Sequence, residues 1–198
     1  MGKMTRRGPG GASIPASAPL AKDLKQSVKG FAGKSIKVGW FESSKYEDGT
    51  PVAYVASIQE FGHGAIPPRP FMRTTTAEKS AEWAKTAETL VKRVTAGKMD
   101  PAAAAEVLGG KAAGDVRKKI ASIKAPPLAL TTLILRKKKR AGDTVTGKTV
   151  GQVKRDVDFI GPRMKGDKSL NVSGVSKKPL VFDGVLIGTL THIVEDKA

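Results

Sequence analysis

The chain has 198 residues, with 35 Lys+Arg against 18 Asp+Glu for a net charge of +17, and 39% hydrophobic but only 5% aromatic residues. That is one ordinary domain with decorations or two very small ones, with a core built mainly from Ala, Val, Leu and Ile, and it excludes wholesale disorder. With no cysteine and two histidines, disulfide scaffolds, thiol chemistry, iron–sulfur clusters and the usual zinc frameworks are excluded; no apolar stretch is long enough for a membrane span or reads as a leader, so a reducing cytosol or an assembly made there is expected.

Residues 1–18, rich in Gly, Ser, Ala and Pro with Lys3, Arg6 and Arg7, read as a flexible basic arm. Leu20, Leu24 and Val28 recur at helical spacing before Gly30, which is expected to stop that short helix. Ser35 to Phe41 alternates, with Ile36, Val38 and Trp40 on one face, as a half-buried strand does. Pro51 opens a helix of two to three turns over Val52 to Glu60. Phe61 to Phe71, with two glycines and three prolines, is a stiff loop. From Phe71 to Ala96 the longest helix is expected, with an inward stripe at Ala77, Ala81, Ala84, Ala87, Val91 and Val94, closed by Gly97.

Asp100-Pro101 is a helix start signal, and Ala105, Leu108, Ala112, Val116, Ile120 and Ile123 continue one face to Lys124. Gly109, Gly110 and Gly114 within it imply close packing or a bend. Pro126-Pro127 ends it, and Leu128 to Arg136 suits a short helix or strand. Residues 137–176 form a basic insertion, read from weak alternation around Thr144 to Ile160 as an extended hairpin or long loop. Lys178 to Val194 alternates with apolar residues on both faces, the mark of a central strand. The expected architecture is α+β: a small antiparallel sheet packed against one long helix plus shorter helices. Residues 19–136 and 177–198 make a single core domain, and 137–176 the basic extended insertion.

Charge is concentrated at two places. Residues 1–40 carry eight basic and one acidic residue, and 137–178 twelve basic and four acidic, so together they hold nearly all of the excess. Arg6, Arg7 and the run Arg136, Lys137, Lys138, Lys139, Arg140 are therefore candidates to face DNA or acidic protein surfaces. Aromatics lie away from these runs, which argues against base readout.

Gly142 to Thr149 spells the phosphate-loop pattern G-x-x-x-x-G-K-[ST], and Asp183 follows an apolar run as a magnesium-site Asp would. That chemistry needs a buried strand running into the first glycine, whereas a basic run precedes it, and too few residues follow for the usual parallel sheet. His63 and His192 lie far apart and Glu60 is separated from His63 by a turn, so no metal or acid–base site is expected; Ser57 and Ser80 have no evident base. No catalytic residue, cofactor or metal is assigned.

The segment Val52 to Gly62, ending Glu60-Phe61-Gly62, followed by Ile66-Pro67-Pro68-Arg69-Pro70-Phe71-Met72-Arg73, resembles the signature of the neck and tail-completion proteins of tailed bacteriophages, the small head–tail joining or minor tail proteins. The strand at Ile36 to Phe41, the segment Pro126 to Ile134 and the run Lys178 to Leu186 are similar to further parts of that family. Two departures stand out: Phe182-Asp183-Gly184 where the family has Asp-Thr-Gly, and the long basic insertion. The resemblance implies a non-enzymatic virion protein, assembled as a ring expected to be a hexamer. That ring would sit at the head–tail junction against connector, neck, tail-tube or sheath proteins, with DNA passing through and with no membrane. It further implies that Glu60, Phe61, Gly62, Pro67, Pro68, Arg69, Pro70, Phe71 and Arg73 form an inter-subunit loop, with Arg69 and Arg73 pairing with carboxylates of the ring; the alternatives are that the aromatic and proline residues cap the core under the long helix and that the two arginines are solvated. A basic nucleic-acid-binding accessory protein is the alternative.

Overall fold

The computed structural model describes residues 26, 28–160, 172–181 and 183–196. In chain order its elements are β1 (Lys34–Gly39), α1 (Val52–Phe61), α2 (Met72–Thr95), α3 (Pro101–Ser122), α4 (Leu130–Arg140), α5 (Gly147–Ile160), α6 (Val185–Gly188) and β2 (Thr191–Asp196). The fold is α+β, with β1 and β2 paired as a two-stranded antiparallel sheet and α2 its longest helix. Lys34 Nζ meets Asp196 Oδ1 at 2.6 Å and Lys37 Nζ meets Glu195 Oε2 at 2.5 Å across the strands, exposed pairs that fix register more than they stabilise.

The described residues divide into two compact units, one drawn from Met1–Lys37, Glu82–Gly109 and Ile193–Ala198, the other from Val38–Ala81 and Gly110–His192. The stretches expected as one core therefore hold two apolar clusters. In the first unit Leu90 and Val94 of α2 pack on Ala104 of α3, with Phe31, Met99 and Leu108 around them. Residues 28–32 are helical, so Gly30 does not stop that helix. It sits instead where a Cβ would come within 3.2 Å of the Pro101 ring.

The second unit has the larger core: Val52, Ala56, Phe71, Val116, Ile120, Leu186 and Leu190, edged by Val38, Trp40 and Tyr46. Val52 and Ala56 lie one turn apart on α1, and α3 contributes its Val116–Ile120 face as the sequence periodicity predicts. Asp100 caps α3 as expected, its Oδ2 accepting from the amides of Ala102 at 2.8 Å and Ala103 at 3.2 Å. Gly109 is buried and a Cβ on Gly110 would touch the His192 ring at 3.6 Å, so these glycines mark close packing. The Arg117 guanidinium donates to the carbonyl of Leu190.

Three expectations fail for identifiable reasons. On α2 Val94 is buried as expected and Ala87 and Val91 are half-buried, but Ala77, Ala81 and Ala84 are exposed, and Thr75, Lys79, Trp83, Thr86 and Leu90 turn inward instead. Turning Trp83 and Leu90 inward removes far more apolar area from water than burying methyl groups does. In the insertion 137–140 and 147–160 are helical rather than extended, for α4 runs on through Arg140 and, after a turn over 141–146, α5 follows and packs against it. Val150, Val153 and Val157 fall at i, i+3, i+7, and Thr146 and Thr149 bond each other's amides through their hydroxyls at 3.3 Å, starting α5 with a reciprocal cap. Lastly, Lys178 to Val194 is no central strand. Gly184 takes φ 76° and opens the helical turn α6, placing Leu186 and Leu190 on the core at i, i+4, so that only Thr191–Asp196 is strand.

Candidate functional site

The Glu60–Arg73 block closes on itself. Glu60, on the last turn of α1, is 4% exposed, yet its carboxylate is well partnered. Oε2 accepts from the amides of Phe71 at 2.7 Å and Met72 at 2.9 Å, and Oε1 from the Arg73 amide at 3.1 Å and Arg73 Nε at 2.9 Å. A carboxylate supplied from another helix thus caps α2, whose first amides have no partner inside the helix and whose dipole favours negative charge there. Burial pushes the Glu60 carboxyl up, but the three amides and the guanidinium together pull it below its ordinary value. Arg73 Nη2 also donates to the Glu60 carbonyl at 2.9 Å, and its guanidinium lies 4.7 Å above the centre of the Phe61 ring.

Gly62 makes the return possible. Its φ is 81°, and a Cβ there would lie 3.0 Å from the Ile66 carbonyl and 3.1 Å from Pro68. Arg69 is 3% exposed and carries its charge among neutral acceptors: Nη1 donates to Gln59 Oε1 at 3.0 Å, Nε to the Pro126 carbonyl at 3.0 Å and Nη2 to the Pro127 carbonyl at 3.2 Å. Its amide donates to the Gln59 carbonyl at 2.7 Å. Burial lowers the Arg69 pKa from its ordinary value. Arg69 and Arg73 are therefore bonded within the chain. Phe71 is fully buried, edge-on to Trp40 with ring centres 5.7 Å apart. Gln59 falls at helical spacing on the side of α1 that carries Val52 and Ala56, and a polar group on that apolar side is the sequence signal for its bond to Arg69.

What remains outward is apolar and stiff. Phe61 is 64% and Tyr54 57% exposed, seven residues apart on one face of α1, and Pro67, Pro68 and Pro70 are exposed in the loop. Beside Phe61 lies a recess of about 260 Å³ walled by Trp40, Ala53, Ala56, Ser57 and Met72, with Arg73 at its margin.

The basic run is divided by its partners. Arg136 Nη1 donates to the carbonyls of Ser176 at 3.0 Å and Lys178 at 2.8 Å, and Arg140 Nη1 to that of Gly174 at 2.6 Å, so both hold the segment that leads to α6. Lys138 faces Asp143 at 3.7 Å; Lys137 and Lys139 are exposed. Arg6 and Arg7 lie outside the described residues. Burial lowers the Arg136 pKa, and the charge of Arg69 adds to this while Asp183 opposes it. Asp183 and Arg136 share a small cavity of about 160 Å³ with Tyr46, whose phenol is pushed up to about 12 by burial and then by the charges of Asp183 and Asp48. Because the folded pKa lies above the free value of 10.0, this contribution to stability is whole below pH 10 and is lost as pH rises toward 12. Spectrophotometric titration should accordingly show one late phenol transition that Tyr46→Phe abolishes; a Tyr46→Phe protein keeping that transition would refute the assignment.

The phosphate-loop pattern finds half its context. A helix opens at Gly147, but helix α4 rather than a strand precedes Gly142, and the Thr149 amide is taken by Thr146. His63 is exposed in its turn, and among the described residues no group of three or more His, Asp or Glu side chains is placed to hold a metal ion. No helix among them is long and apolar enough to cross a membrane. Compared with family models, curated proteins and solved structures, the chain matches none.

Proposed function

We propose that this chain is a non-enzymatic virion protein of a tailed phage that forms a closed, six-fold ring at the head–tail junction, joining the connector to the tail and letting DNA pass. One observation carries the reading. In the Glu60–Arg73 block, whose sequence resembles the neck and tail-completion family, the charged groups Glu60 and Arg69 are taken up inside the chain. The outward side is Phe61 beneath Arg73, three exposed prolines and an apolar recess. Prolines and a ring held by a cation lose little conformational freedom on docking, which suits a contact between subunits or with a neighbouring ring of connector, neck, tail-tube or sheath protein.

The test is made on particles. Purified virions should contain the protein at the neck by labelled electron microscopy, and a mutant phage lacking it should accumulate separate heads and tails. Virions free of it, or normally joined particles without it, would refute the proposal. The second reading, a nucleic-acid-binding accessory protein, is favoured by the charge on residues 1–40 and 137–178. Binding of the isolated monomer to duplex DNA tighter than about 10⁻⁷ M at physiological salt would support it, since sequence-independent contact alone gives roughly 10⁻⁴ to 10⁻⁶ M.

A further inference from the structure

We infer that the trough between α4 and α5 is a docking surface for the phosphodiester backbone of duplex DNA. The trough holds about 760 Å³ and gathers three cations that the sequence scatters over eighteen positions, Lys138 from α4 with Lys148 and Arg155 from α5. One carboxylate, Asp156, lines it too, and it is bonded to the Gln152 amide at 3.0 Å. This set shares only Lys138, which also faces Asp143 at 3.7 Å, with the Arg136–Arg140 run read in the sequence. Arg136 and Arg140 are spent on backbone carbonyls, whereas Lys148 and Arg155 are exposed, with the buried Val153 lining the trough beside them. Arg155 is held in place by Gln152, to which its Nη2 donates at 2.9 Å.

The lining decides the class of ligand. Besides the cations and Asp156 it is lined by Gly147, Gly151, Thr149, Gln152 and Val153, small, aliphatic or hydrogen-bonding groups with no aromatic ring. Specific protein partners are anchored by large side chains in desolvated pockets, which this trough does not supply. Single strands are gripped by stacking on aromatic rings, also missing from the lining. Cations with small polar donors suffice for phosphates, whose contact is independent of sequence and governed by salt. A ring of copies would repeat the trough around a passing duplex and raise weak single-site binding by multivalency. The proposal rests on the ring reading only for the source of the DNA, because the contact itself belongs to each chain.

The test uses the full chain and a fluorescent 25-base-pair duplex, with anisotropy titrated from 50 to 200 mM KCl. Removing two phosphate contacts with Lys148→Gln/Arg155→Gln should weaken binding roughly sixty-fold at 0.1 M salt and flatten the log–log salt slope by about 1.8. Lys92→Gln/Arg93→Gln, an equal charge loss on α2, should stay within about threefold of the parent, and Lys148→Arg/Arg155→Lys should keep the parent slope. No binding by the parent at 50 mM, an unchanged slope in the trough variant, or equal weakening in the α2 variant would each overturn the proposal. So would displacement of the duplex by poly-glutamate at equal charge concentration, which would mark an acidic protein as the ligand. Heads and tails that join normally without the protein would refute the ring reading and leave this result standing.

Discussion

Glu60→Ala is expected to destabilise the protein by about 3 to 4 kcal/mol, the loss typical when one partner of a buried, hydrogen-bonded charge is removed. The substitution leaves the amide of Phe71 buried without an acceptor, uncaps α2 and frees Arg73 from the carboxylate and hence from its fixed place over Phe61. Glu60→Gln retains the shape and one acceptor oxygen, and should cost about half as much. Urea midpoints followed by far-ultraviolet circular dichroism measure both, and a loss below about 1 kcal/mol for the alanine variant would show that the cap is not held in solution. The pH dependence supplies an independent readout. The Glu60 pKa is lower in the folded chain than its free value of 4.5. The unfolded chain therefore takes up its proton first as the pH falls, and the stabilisation is complete above that value and drains away below it. In Glu60→Gln this part of the acid limb should be missing.

Phe71→Ala should cost about 3 to 5 kcal/mol through lost transfer energy and the cavity left in the core. The ring is wholly buried, meets Trp40 at 82° between planes and sits beside Val52 and Ala56 in the larger core. Trp40 is itself fixed by a bond from its Nε1 to the Leu186 carbonyl at 2.8 Å, so the effect should spread to the α6 turn and shift Trp40 fluorescence. Phe71→Leu, which fills much of the space, should recover more than half of the loss. If Phe71→Ala unfolds within about 1 kcal/mol of the parent, the ring is not a core residue.

These two residues also show how the block differs from what its sequence suggests. Glu60, Arg69 and Arg73 stand in a polar, proline-rich stretch and read naturally as groups turned toward a partner. Two of the three are buried, and all three serve the chain's own backbone: α2 for Glu60, the Glu60 carboxylate and carbonyl for Arg73, the Pro126 and Pro127 carbonyls for Arg69. What remains outward is Phe61 and the uncharged prolines, with the exposed Arg73 guanidinium over the Phe61 ring. At the insertion Arg136 and Arg140 donate to backbone carbonyls, while Lys148 and Arg155 line the trough beside α5.

Signals confined to a few neighbouring residues were sufficient by themselves for β1, for α1 after Pro51, for the length of α2, for the capped start of α3 at Asp100-Pro101 and for its buried face. Each depends on a local preference: a fixed proline φ, a cap within three residues, or a stripe of large apolar side chains. Tertiary structure decided which side of α2 turns inward, because its alanines are indifferent and Trp83 and Leu90 are not. It made a helix of 147–160 and a turn of 185–188, where alternating β-branched residues suit either period until packing chooses. It also set the partners of the buried charges Glu60 and Arg69, since a guanidinium or carboxylate removed from water is held by whatever donors and acceptors the fold brings to it, and for Arg69 those lie up to 58 residues away in the chain.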